Sequence, residues 1–160
     1  MLRRAQRVLL GVFRLLPRNL RRVFVRFFAP SFTVGAICVV ERADGRVLVV
    51  RHSYRRRWGF PGGLVKRHEA IEDAARREAR EEVGVDIVLV DEPAVVVAPA
   101  PRRVDVVFRA RIAEGFDPDS LRPMSPEIVE VRWVERRDLP ELQEEAADGL
   151  VALARRVGSG

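Results

Sequence analysis

One short helical stretch constrains this 160-residue chain more than any other feature. Residues 70–83 follow a helical pattern that ends at Gly84, the residue type favoured just after a helix. Three of its carboxylates, Glu78, Glu81 and Glu82, fall within an arc of about 100° on one side of that helix. Clustered carboxylates repel one another, and a hard divalent cation relieves that repulsion because it prefers oxygen ligands. The stretch therefore predicts either a metal-binding helix or a solvated charged helix surface.

The residues before the helix favour the metal-binding interpretation. Fixed positions at fixed spacing extend upstream, in the order Gly63-x5-Glu69-x7-Arg77-Glu78-Ala79-x-Glu81-Glu82-x-Gly84-Val85. This run resembles the Nudix box, and so many fixed positions make it a strong signal. The flanking segments 58–63 and 130–140 also resemble that family, so the likeness covers about residues 32–157.

The resemblance implies a metal site built from the box. Glu78 and Glu82 would be the main ligands, Glu81 a further ligand or the general base, and the Gly62 carbonyl would also face the ion. The ion would be Mg²⁺, with Mn²⁺ as a substitute, and it would offset phosphoryl charge and lower the pKa of a bound water. Because magnesium prefers oxygen, His52 is interpreted as an ordinary polar residue rather than a ligand.

The resemblance assigns structural and orienting roles to other box positions. Arg77 would orient the catalytic carboxylates, and Glu69 would pair with Arg77 to hold the loop-helix junction. Gly63 would let the backbone approach closely, and Gly84 would close the helix. Ala70 stands where a capping serine or threonine is frequent, so we expect a helix without a side-chain cap.

Candidates outside the box have weaker support. Glu127 is the best candidate for an additional catalytic glutamate, the alternative being a surface-loop acid. Arg55 and Arg57 could receive a diphosphate and Trp58 could stack on a base. The alternatives for these three residues are a solvated loop for the arginines and core packing for the tryptophan.

The order of predicted elements indicates an α/β fold, a Nudix-type α/β/α sandwich with a mixed central sheet, preceded by an amphipathic helical segment. We therefore expect an extension over residues 1–30 and a Nudix domain over residues 31–160. The predicted strands cover 32–40, 46–50, 87–98 (one or two strands), 104–112 and 128–134, the helices 70–83 and 139–157, and the main loops 53–63 and 114–126.

The excess positive charge is confined to the N-terminal segment. Residues 1–28 contain eight arginines and no acid, so the other 132 residues hold 21 basic and 23 acidic side chains and have a net charge of −2. The charge is thus no argument for a nucleic-acid partner. No run reaches the ~18 apolar residues that cross a bilayer. A cytoplasmic protein is expected, and the segment could contact the inner membrane surface, form a homodimer or pack on the domain.

The expected activity is hydrolysis of a phosphoanhydride bond by attack of water on phosphorus. The resemblance implies a small-molecule nucleotide substrate, either a nucleoside triphosphate or a nucleotide-sugar such as ADP-ribose. A catalytically silent Nudix-fold binding or regulatory module, associated with a membrane through its N-terminal helix, is the alternative. That alternative predicts an eroded box, whereas every box carboxylate is present in this chain.

Overall fold

The computed structural model describes residues 17–20 and 31–157, so most of the predicted N-terminal extension lies outside the described residues. In the described part, no helix is long and apolar enough to cross a bilayer. Its regular elements are β1 Thr33–Glu41, β2 Val47–His52, β3 Gly62–Leu64, α1 Ile71–Val83, β4 Ile87–Ala98, β5 Arg103–Ile112, β6 Ile128–Val134 and α2 Glu144–Val157, with 3₁₀ turns at Pro118–Ser120 and Arg136–Asp138.

The strands form one mixed sheet in the order β4-β5-β1-β2-β6, with β3 paired to β1. Strands β1 and β5 run parallel, and the other pairs are antiparallel. Strand β2 meets β1 near the tip of their hairpin. Further along, residues 59–64 lie between the two strands: Gly59 exchanges backbone hydrogen bonds of 2.8 and 2.9 Å with Val50. The Cys38 amide donates to the Pro61 carbonyl at 2.8 Å, so the glycine pair that follows lies near the middle of the sheet.

The two helices cover opposite faces of this sheet. Successive side chains of a strand point to opposite faces, and β1 is buried on both. Ala36 and Cys38 of β1 belong to the core beneath α1, whereas Ile37 and Val39 belong to the core beneath α2. This arrangement confirms the predicted α/β/α sandwich with a mixed sheet.

Helix α1 ends as predicted. Gly84 adopts the left-handed conformation, with φ 70°, and its amide bonds back to the last turn of the helix. Ala70, at the other end, makes no side-chain cap. Glu72 and Asp73 lie in the first turn, where negative charge is favourable beside the helix dipole.

The predicted start of the second helix, at residue 139, is wrong by five residues. Helix α2 begins at Glu144 because the preceding backbone pairs with the loop after β2. The Trp58 amide donates to the Glu141 carbonyl at 3.0 Å, and the Gln143 amide donates to the Trp58 carbonyl at 2.7 Å. These bonds hold the segment extended before the helix can start.

Two strand predictions also need correction. Gly62 and Gly63, predicted as the end of a loop, begin β3 because they pair with the central strand β1. Residues 87–98, predicted as one or two strands, form one strand, whose pairing shifts register between Val90 and Ala94. The interruption expected in this region is thus a local irregularity within the strand.

Candidate active site

Arg77 lies at the centre of the carboxylate cluster. Its Nε and Nη2 donate to the two oxygens of Glu69 at 2.7 and 3.0 Å. Its Nη1 donates to Glu78 at 2.6 Å and to Glu81 at 3.1 Å, and Nη2 also reaches the Leu64 carbonyl at 3.2 Å. A planar guanidinium can serve all these acceptors at once, which a lysine could not do. Arg77 therefore fixes α1 to the end of β3.

Glu69 is held as a carboxylate in this cluster. The charged hydrogen bonds from Arg77, together with the Lys66 backbone amide at 2.7 Å, lower the pKa of Glu69 to about 2. The same contact, more than any other, raises the pKa of Arg77. The pair is therefore charged throughout the neutral range, as expected of a structural junction.

Glu78 is in the opposite electrostatic situation. Burial is the main reason that its pKa is raised, and the charges of Glu82 and Glu81 add to the effect despite the Arg77 contact. The adjacent Arg77 guanidinium therefore offsets the burial and the neighbouring negative charges only in part. Gly63 makes its position possible, because a Cβ on Gly63 would lie only 2.5 Å from Glu78 Oε1.

Glu82 is the most deeply buried of the three helix carboxylates, with 5% of its surface exposed. Its Oε2 accepts a hydrogen bond from the Gly62 amide at 3.1 Å. Its Oε1 lies 3.3 Å from Nε2 of His52, which is also buried. Both oxygens of this side chain are therefore oriented by neighbouring groups.

The donor set fits a hard divalent cation in its chemistry and its location. Among residues 17–20 and 31–157, no three His, Cys, Asp or Glu side chains already converge as a metal cage. Glu78 and Glu81 are instead turned toward Arg77, and Glu82 toward Gly62. All three carboxylates border one cavity, and carboxylate oxygen is the ligand that magnesium prefers.

The cavity has a volume of about 520 Å³ and a second, mixed-charge wall. On that wall, Arg55 lies 3.3 Å and Arg103 3.9 Å from the Glu145 carboxylate. Glu127 also borders the cavity, and its carboxylate has no hydrogen-bond or ion-pair partner within the described part of the chain. The cavity thus brings together Arg55, Glu127 and the three helix carboxylates Glu78, Glu81 and Glu82.

Two predicted substrate contacts lie elsewhere. Arg57 does not border the cavity and pairs with Glu141 at 2.8 Å. Trp58 is also outside the cavity lining, with the guanidinium groups of Arg132 and Arg51 at 4.9 and 5.8 Å from its ring. Its apolar part packs on the core beneath α2. These positions favour the packing and solvent-exposed interpretations of Trp58 and Arg57.

Arg103 is a cavity residue that the sequence analysis missed. Its Nε donates to Asp105 at 2.6 Å, and Asp105 is almost fully buried. Gly35 of the neighbouring strand leaves space for this pair, since a Cβ there would lie 2.3 Å from Asp105 Oδ1. An Arg-x-Asp pair on one face of a strand is the signal that could have identified it, because residues two apart share a face.

Residues 31–154 match the NUDIX domain family. A MutT-like protein of Streptomyces ambofaciens is 32% identical over 113 residues, which cover 70% of this chain and 70% of the relative. An isopentenyl-diphosphate Delta-isomerase of Kocuria rhizophila is 34% identical over 116 residues, covering 64% of this chain and 62% of the relative. The crystal structure of a Nudix hydrolase from Nitrosomonas europaea superposes with a TM-score of 0.65 at 25% identity, covering 76% of this chain and 69% of the other.

Proposed function

The chain belongs to the Nudix hydrolase family, and we propose that it uses Mg²⁺ to hydrolyse a phosphoanhydride bond in a nucleoside diphosphate derivative. The observation that carries this proposal is the cluster of box carboxylates along one wall of an open cavity. Its substrate is then a small nucleotide, either a nucleoside triphosphate or a nucleotide-sugar. Neither a nucleic-acid partner nor a covalent enzyme intermediate is needed.

The helix carboxylates would hold the metal. Glu78, Glu81, Glu82 and the Gly62 carbonyl supply the hard oxygen ligands that Mg²⁺ or Mn²⁺ requires. When bound, the ion offsets the charge on the phosphoryl oxygens and lowers the pKa of a water molecule. Arg77 keeps Glu78 and Glu81 in place through its contacts along α1.

Two glutamates are candidates for the general base. The side chain of Glu81 is 52% exposed, so it can reach a water molecule in the cavity. Glu127 lies on the loop before β6, and its carboxylate has no hydrogen-bond or ion-pair partner in the described part of the chain. Either carboxylate could accept the proton of the attacking water.

The mixed-charge wall would bind the part of the substrate that carries the leaving group. Arg103 is held by the buried Asp105, which orients its guanidinium before substrate arrives. Arg55 approaches Glu145 from the other side. Arginines fixed in this way suit phosphate oxygens, because their paired donors match that geometry. We propose Arg55 and Arg103, rather than Arg57 and Trp58, as the substrate contacts.

A hydrolysis panel in ¹⁸O-labelled water is the test of this function. It contains nucleoside triphosphates, ADP-ribose, other nucleotide-sugars and dinucleoside polyphosphates, each with and without magnesium. We expect metal-dependent turnover of at least one class, with heavy oxygen in a phosphate-bearing product, because water attacks phosphorus. Label found only on a sugar or base carbon would rule out this mechanism.

The panel also separates two alternatives. The panel also includes isopentenyl diphosphate, because the chain resembles an isopentenyl-diphosphate isomerase. If the protein isomerises isopentenyl diphosphate and cleaves no phosphate bond in any compound, the proposed hydrolysis is wrong and isomerisation is the activity. Tight binding of a nucleotide without turnover of any compound would instead support the silent module, although every box carboxylate is present.

We propose a cytoplasmic enzyme whose N-terminal extension, residues 1–30, is separate in function from the Nudix domain of residues 31–160. The extension contains no Asp or Glu, so it cannot supply a carboxylate ligand to the metal. Deleting residues 1–28 is expected to preserve most turnover per folded molecule while reducing solubility, dimerisation or binding to anionic vesicles. Activity assays, light scattering and vesicle sedimentation measure these effects. A folded but inactive truncation would contradict the proposed separation.

A further inference from the structure

We infer that His52 is a positioning residue that holds the Glu82 carboxylate in the orientation needed for metal binding. This inference rests on the proposed function, because it gives a purpose to a side chain that contacts one of the proposed ligands. His52 itself is not a ligand in this arrangement. It acts through Glu82, which lies 30 residues further along the chain and belongs to a different element.

The local backbone directs His52 toward α1. His52 is the last residue of β2, and the pairing of β2 with β6 shifts register between Arg51 and His52. Such an irregularity re-aims the side chain that follows it. Arg51 points to Glu130 on the sheet surface, whereas His52 is 8% exposed and borders the cavity.

The hydrogen bonds fix both oxygens of Glu82. A carboxylate can only accept, so His52 Nε2 must carry the proton in its 3.3 Å contact with Oε1. The Gly62 amide donates to Oε2 at 3.1 Å. One donor on each oxygen defines the plane of the carboxylate and leaves further lone pairs of each oxygen for a cation.

The remaining nitrogen of His52 argues for a functional rather than a structural role. Its Nδ1 is buried and has no hydrogen-bond partner among the described residues. An unsatisfied buried polar atom is destabilising, and such atoms need a specific explanation. An apolar side chain could pack at this position without burying an unsatisfied nitrogen. An imidazole has this cost, but it also supplies the Nε2–H donor to Glu82. The nearby Tyr54 ring, tilted by 50° with its centroid 5.4 Å from that of the imidazole, does not satisfy Nδ1.

The test compares His52→Asn with His52→Gln in the full chain. The glutamine amide nitrogen can reach about as far as Nε2, whereas the asparagine side chain is one methylene shorter. Groups that orient a metal ligand typically contribute ~10–100-fold to metal affinity. We therefore expect His52→Asn to weaken Mn²⁺ binding by ~10–100-fold and His52→Gln to restore most of it. Titration of free Mn²⁺ by electron paramagnetic resonance measures binding without requiring turnover, and thermal unfolding without metal establishes that each variant is folded.

Two controls make the outcome decisive. His68→Asn changes an exposed histidine with φ 65°, a conformation that asparagine tolerates, so the backbone should be unaffected. Because His68 contacts none of the proposed ligands, Mn²⁺ binding should be unchanged. Glu82→Gln should weaken Mn²⁺ binding whether or not His52 has the inferred role. If Glu82→Gln weakens binding but His52→Asn matches the parent protein, the inference about His52 is wrong and the proposed function stands. If neither variant alters Mn²⁺ binding, the metal site of the proposed function is wrong as well.

Discussion

Replacing Gly63 with alanine is expected to lower turnover by ~10²-fold while the protein stays folded. The added Cβ would lie 2.5 Å from Oε1 and 2.6 Å from Cδ of Glu78, which is closer than real Cβ contacts allow. The clashing atoms lie at the end of the flexible Glu78 side chain, so they can move aside without disturbing the sheet. The movement would displace a proposed metal ligand, and a misplacement of about 1 Å can cost ~10² in rate.

The comparison variant is Gly115→Ala. Gly115 has φ 82° and no atom near its would-be Cβ, so alanine there is strained but clashes with nothing. We expect a loss of about 1 kcal/mol in unfolding free energy and normal turnover per folded molecule. Steady-state kinetics over a magnesium series, with thermal unfolding, measure both variants. Normal turnover and metal dependence in Gly63→Ala would show that the position of Glu78 is irrelevant to the reaction.

Elements set by local sequence were predictable. The bounds of β6 and the end of α1 follow from residues within one turn or one strand: Ile128–Val134 was predicted at both ends, and Gly84 closes α1 in the left-handed conformation. The missing side-chain cap at Ala70 also follows from the residue type alone. These features depend on the local sequence, and tertiary contacts do not change them.

Elements set by distant backbone contacts were not predictable. The start of α2 depends on backbone hydrogen bonds between Trp58 and residues more than eighty positions away. Strand β3 exists because Gly62 and Gly63 pair with β1, and two glycines carry no strand signal of their own. Both errors occur where a segment forms backbone hydrogen bonds with residues that are distant in sequence.

The same distinction applies to the candidate site. The contact of Arg77 with Glu69 is implied by the resemblance to the Nudix box, and the structure brings the two side chains together. His52 reaches the cavity through the irregular end of β2, and Arg103 reaches it through the sheet topology. The Arg-x-Asp spacing indicates the Arg103–Asp105 pair but not its place beside the cavity. The box residues could thus be identified from the sequence. The places of His52 beside Glu82 and of Arg103 on the opposite wall of the cavity could be identified only from the fold.

Replacing Glu82 with glutamine is expected to reduce turnover by ~10²–10³. Glu82 is the most buried helix carboxylate, and both of its oxygens are already oriented, so it is the best-prepared proposed ligand. Glutamine keeps the shape and can still accept from the Gly62 amide, but it lacks the negative charge. The loss should appear as weaker magnesium binding and slower turnover. Stability should hold or rise slightly, because one charge leaves a self-repelling cluster.

Glu72→Gln is the matched control on the same helix. Glu72 is exposed in the first turn of α1, makes no contact with the cluster and lies outside the box pattern. Its charge is favourable beside the helix dipole, so its loss should cost about 0.3–1 kcal/mol of stability and leave the reaction unchanged. Kinetics at low and saturating magnesium separate the two variants, because only in Glu82→Gln should the loss of turnover relative to the parent protein change with the metal concentration. Equal damage by both substitutions, or near-normal turnover of Glu82→Gln at low magnesium, would mean that these glutamates form a charged helix surface and not a metal site.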